Sequence, residues 1–229
     1  MNYGYYLCTC WQAFIQQIVH NVSHGYYYYH YHTLTENRRP KLPEIDKKIE
    51  TRFATDRAKD KRYRAKKNGE CNYFYLRYGL QLIIMRTDGN ERHAARQEQR
   101  FDDIREVPLE IRIEGDGNLV LKLHRKAVNG ISVCLSKACY RDKKVELLEL
   151  VEHRRTMQVI YLFNMLNGIP AYSGVTEHKK LLLKEVLNAA KKHGVKLSKD
   201  DFRLKTKLVK YKVFVNEKPL IKQRRRRAS

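Results

Sequence analysis

The triplet His30-Tyr31-His32 sits in the run HGYYYYHYHT, residues 24–33. Alternate residues of a strand point to one side, so the two imidazoles share a face and suit joint coordination of one divalent ion. Positions 26–32 hold five tyrosines and two histidines, a density of rings that favours a strand. Three uses compete: packing against a core, a stacking surface for bases, and a metal-binding pair. Carboxylates offer a second kind of metal chemistry at Asp102, Asp103 and Glu106 in RFDDIREVP, and at Asp88 and Asp116. Some nucleases hold Mg2+ through such clusters. Asp88-Gly89 and Asp116-Gly117 are also explained as turn dipeptides, and Asp102 and Asp103 lie within ion-pairing reach of Arg100 and Arg105.

His-aromatic-His on a strand resembles the His-hydrophobic-His motif of HUH endonucleases, which relax plasmids, start rolling-circle replication or move single-stranded transposons. The resemblance covers three residues. It implies Mg2+ or Mn2+ held by His30 and His32, with a third ligand from Asp102, Asp103, Glu106 or another histidine. It also implies a helical tyrosine that attacks the polarised phosphate and becomes covalently linked to it. Tyr161 in QVIYLFN is the matching downstream tyrosine, with Tyr140 and Tyr172 as reserves. Tyr161 equally fits the apolar face of its own helix, beside Val159, Ile160, Leu162 and Phe163. A second short likeness lies at residues 73–78, where YFYLRY resembles a strand signature of the RNA recognition motif. Cys71-Asn72 stands where that signature carries Lys/Arg-Gly, and no partner signature accompanies it, so that family is not assigned.

Charge is the broader signal. The 229 residues carry 47 Lys and Arg against 25 Asp and Glu, a formal net charge of +22. Such a chain repels itself unless anions neutralise it. The cations fall in separate runs: Arg38, Arg39 and Lys41; Arg57, Lys59, Lys61, Arg62, Arg64, Lys66 and Lys67; Lys205, Lys207, Lys210 and Lys212; and Arg224, Arg225, Arg226 and Arg227. One run is normally a solvated face. Four runs together read as an electrostatic footprint for nucleic acid. Aromatic rings interleave with them. Tyr26, Tyr28, His30 and His32 share one strand face, and Tyr73, Tyr75 and Arg77 share another. Rings beside cations stack unpaired bases, provided that face is wet.

These residues need elements to hold them. Trp11, Phe14, Ile15, Ile18 and Val22 recur at helical spacing. A second helix starts near Pro43, with Ile45, Ile49 and Phe53 inward, and runs into the basic stretch 57–70. Strands are expected over about 72–78 and 80–87. A surface helix or loop covers 90–103. Leu109, Ile111 and Ile113 alternate with charged residues and pair through the turn GDGN with Leu119, Leu121 and Leu123. ISVCLS supplies another strand. From about residue 142 the chain turns helical, with Gly168 and Gly194 at expected C-caps. The helical segment 176–193 is an alternative groove-reading helix, with Lys179, Lys180, Lys184, Lys191 and Lys192 as outward cations. A helical turn follows at Ser198–Asp201, and 203–215 alternates like a strand. The fold class is α+β: an aromatic-rich mixed or antiparallel sheet in the N-terminal half, and a mainly helical C-terminal half with a terminal strand. The division is placed at 1–140, 141–220 and a disordered Arg-rich tail at 221–229, with the two halves free to share one core.

Several classes are excluded by missing patterns. There is no Gly-rich phosphate loop, no dinucleotide fingerprint, no G-x-S-x-G elbow and no H-E-x-x-H. The five cysteines are scattered without a C-x-x-C pair, as expected of free packing thiols. No apolar run approaches the roughly 20 residues of a membrane span, and no signal-peptide pattern opens the sequence. A cytoplasmic or nuclear, non-secreted protein is expected. The sequence predicts a nucleic-acid-binding protein without a resident cofactor. RNA is favoured slightly over DNA, within a ribonucleoprotein or mobile-element complex that supplies further protein partners. A metal-dependent nuclease or strand transferase is the enzyme alternative. A basic structural or assembly protein is the third.

Overall fold

The computed structural model describes residues 6–113, 119–126 and 130–215. The predicted α+β class is observed: antiparallel sheets dominate the first half and helices the second. Helix α1 (Trp11–Ser23) buries the apolar face read from its spacing, with Ala13, Phe14, Ile15 and Ile18 fully enclosed. It contacts strands of both sheets, β2 (Tyr73–Tyr78) and β7 (Gly130–Leu135). The first sheet has the order β2-β3-β1-β4, where β1 is Tyr28–Thr33, β3 Gln81–Arg86 and β4 Asp102–Asp103. Every pairing in it is antiparallel. The Tyr73↔Arg86 and Tyr28↔Arg86 registers align Tyr28, His30 and His32 with Tyr73, Tyr75 and Arg77 on one face.

Both faces of this sheet are covered. Leu76, Ile83, Met85 and Tyr29 join α1 in the main core. On the opposite face Tyr73, Tyr75, Leu82 and Ile84 pack with Phe53 and Tyr6, under Ile45 and Ile49 of α2 (Leu42–Phe53). A sheet covered on both sides reads as a near-continuous apolar run, and QLIIM of β3 is one. The predicted second helix is broken in two. Ala54 takes a left-handed backbone (φ 49°) and ends α2, and a new helix, α3 (Lys59–Lys67), carries the basic block.

A short helix α4 (Ala94–Gln97) occupies the expected polar stretch. The second sheet, β5-β6-β7, is the predicted hairpin, β5 (Leu109–Arg112) with β6 (Val120–Lys126), extended by β7. Leu109, Ile111, Leu121, Leu123, Val133 and Leu135 align across it as one buried face. Helices α5 (Lys137–Glu152), α6 (Thr156–Met165) and α7 (Ser173–Lys192) follow, α5 and α7 packing on each other and α7 on β7. The approach of α7 to β7 requires Gly174, since a Cβ there would sit 2.7 Å from the Ser132 hydroxyl and 2.8 Å from the Val133 carbonyl oxygen. The capping box at Ser198 and Asp201 forms as expected. The segment 203–215 builds no ladder. Its β character is one antiparallel bridge, Phe214 to Cys8, reinforced by Thr9 N–H donating to the Val213 carbonyl and Val215 N–H to that of Leu7. A single apolar cluster runs from Cys8 to Phe202 through both halves. The GDGN turn with Asp116, Asn129, and the tail with Arg224 to Arg227 lie outside the described residues. No described helix is long and apolar enough to cross a membrane.

Candidate nucleic-acid interface

The rings expected to stack on bases are mostly used for packing. Tyr73 and Tyr75 are buried beneath α2. Arg77 is buried beside them and grips Asp46, its Nε and Nη2 each 2.9 Å from a carboxylate oxygen, while the Tyr75 hydroxyl donates to the same carboxylate at 2.6 Å. Burial pulls the Arg77 pKa down, but the Asp46 contacts outweigh it and hold the guanidinium charged. None of the three can meet a base without opening the core. Tyr26 lies edge-on to Phe74 at 6.0 Å and packs against the main cluster. Tyr28 is half-buried between Arg86 and Arg105, whose guanidinium carbons lie 4.6 and 5.3 Å from its ring centre. The tyrosine run is therefore chiefly a packed strand with cations over its rings.

The histidine pair shares one face as expected, but its ends differ. His30 is half-buried beside Phe101, and burial followed by the neighbouring His32 pushes its pKa down. His32 is exposed. Among the described residues no group of three or more His, Cys, Asp or Glu side chains is placed to hold a metal ion. Asp103 and Asp88 are instead joined to Arg105, at 2.6 and 3.3 Å. Tyr161 is not core: it is 68% exposed on α6, which packs against α5, whereas the histidines belong to the first sheet. Lys179, expected to point outward, is 1% exposed, with its Nζ donating to the Ile169 carbonyl at 3.3 Å.

The basic block behaves as a surface. Lys59, Lys61, Arg64, Lys66 and Lys67 are exposed on α3, and no carboxylate pairs with them among the described residues. Tyr63, which the charge pattern masks at the sequence level, is 70% exposed in their midst. Lys59, Tyr63 and Lys67 recur every four residues and so lie along one face. Ala65 is the buried contact. The helix is fixed at its base. The Asn72 side-chain amide donates to the Arg62 carbonyl at 3.0 Å, and Arg62 Nε donates to the Arg57 carbonyl at 2.9 Å. Gly89 lets the next turn close, because a Cβ there would lie 2.7 Å from the Glu70 carbonyl carbon.

At the root of α3 lies a cleft of about 370 Å³. Tyr6, Phe74 and Tyr75 line it with rings, Arg57 and Arg62 with cations, and Glu50 and Asp56 with carboxylates. Phe214 lines it as well, so the end of the 203–215 segment meets the α3 block here. Lys205, Lys207, Lys210 and Lys212 are exposed along that segment, which is tied to α1 through Tyr211 and Gln16. Arg38, Arg39 and Lys41 are exposed in a 3-10 turn (Glu36–Lys41) preceding α2, where Arg39 pairs with Glu36. In the chain, α2, about 18 Å long, lies between that turn and α3. A different surface is built by α6, where Met157, Tyr161 and Met165 expose an uncharged stripe at four-residue spacing. No family model, curated protein or solved structure matches this chain, and the functional reading rests on these surfaces.

Proposed function

We propose that this protein binds single-stranded nucleic acid, RNA ahead of duplex DNA, within a ribonucleoprotein or mobile-element complex. One observation carries the reading: α3 presents five unpaired cations around an outward aromatic ring. Cations near phosphates release condensed counterions, and a ring among them stacks on a base exposed by a single strand. A duplex keeps its bases stacked and offers Tyr63 no such partner. The cleft beside α3 adds Arg57 and Arg62 to these cations.

The test is fluorescence anisotropy with a 12-nucleotide RNA over a salt series. Binding should weaken linearly on a log–log plot, by roughly 0.7 per phosphate contact. Lys59→Ala with Lys67→Ala should flatten that slope by roughly 1.4. Indifference to every oligonucleotide in dilute buffer would discard the reading.

A further inference from the structure

We propose that the cleft at the root of α3 is a base-recognition pocket that seats one unstacked guanine of the bound strand. The inference rests on the function proposed above and adds a specificity to it. Its volume, about 370 Å³, lies near the lower end of the roughly 300–1,000 Å³ that small-ligand pockets span. It therefore suits one base with its sugar rather than a stacked pair. Its composition matches the recognition of splayed-out bases, which combines aromatic walls with hydrogen bonds to a base edge. Tyr6 and Phe74 supply ring walls, and Arg57 and Arg62 line the cleft as cations for the flanking phosphates.

Glu50 selects the base. No cation pairs with it among the described residues. Asp46 is already held by Tyr75 and Arg77, so Glu50 and Asp56 are the carboxylates left to the cleft. A half-buried acceptor-only group needs donors. Burial, followed by Asp56 and Asp46, makes its ionised form costly, and a ligand that donates to it relieves that cost. Guanine presents two adjacent donors, N1–H and the exocyclic amine, in a planar fork that fits the two oxygens of a carboxylate. Adenine and cytosine each bring one exocyclic amine beside a ring acceptor, which would face the second oxygen unfavourably. Uracil brings a single ring N–H between two carbonyls.

The experiment measures affinity for three RNA decamers: uridines with one central guanosine, inosine or adenosine, plus all-uridine as reference. Wild type should bind the guanosine decamer about tenfold tighter than the adenosine one. Inosine, which keeps N1–H and lacks the amine, should fall between. Glu50→Gln, nearly isosteric and checked by its melting temperature, should bring the three within twofold of one another. Equal affinity of wild type for guanosine, inosine and adenosine overturns the proposal, as does a preference that survives Glu50→Gln. Binding of no decamer at all overturns the proposed function together with it.

Discussion

Arg77 shows how one side chain can look functional and be structural. An arginine among tyrosines on a strand is the composition of a base-stacking surface, and nothing in YFYLRY reveals the carboxylate that meets it. That carboxylate, Asp46, stands 31 residues earlier on α2 and is itself buried. Removing one member of a buried pair leaves the other charge without compensation, at about 3–5 kcal/mol. Asp46→Ala should therefore lower the unfolding free energy by about that amount in urea titrations, with the α3 surface untouched. Lys179 makes the reverse case. Burial, then the nearby charge of Lys205, lowers its pKa from 10.5 to about 8. Between those values the unfolded chain binds the extra proton, so stability rises with pH across that window. Below about pH 8 the full cost is present. Lys179→Met should stabilise the protein at pH 7 and flatten the rise between pH 8 and 10.5 in urea titrations repeated along the pH scale. The two residues share one cause: burial of a charge depends on contacts made across the fold, which local spacing does not carry.

At the level of elements the sequence was more transparent. The periodicity of α1, the alternation of β5 and β6 and the glycine stops placed those elements closely, because each obeys a local rule. The break between α2 and α3 was hidden, since TRFATDRAK contains neither proline nor glycine and the chain turns on a left-handed alanine. That break makes α3 a separate, exposed helix rather than the tail of a packed one. It also brings Tyr63 outward, a residue whose flanking Arg62 and Arg64 were the available clue. Tyr63→Ala should weaken single-strand binding by about 1–3 kcal/mol, with Tyr63→Phe retaining it, in anisotropy titrations. The melting temperature should hold, because a ring this exposed contributes little packing.

For the whole molecule, a net charge of +22 on a fold whose main core runs through both halves is a standing self-repulsion. A ligand that binds only the folded form raises its stability by mass action. Poly(U) should therefore raise the melting temperature in low salt, and the rise should vanish as salt screens the surface charges. A thermal shift assay with and without about 1 M NaCl measures this, at which concentration charges interact over only about 3 Å. The charge total was legible at once. Its arrangement around a cleft was not, because Tyr6, Glu50, Arg57, Phe74 and Phe214 meet there from distant parts of the chain.

The bond from the Thr9 hydroxyl to the Lys212 carbonyl joins residues 203 positions apart. During translation the early partner must therefore wait, with nothing to close it, while nearly everything between is made. Loop closure over such a span is entropically slow to be repaid, so docking of 211–215 should be the concluding step of folding and the first to let go under stress. Since Phe214 is a wall of the cleft, that late seam sets when the cleft is complete.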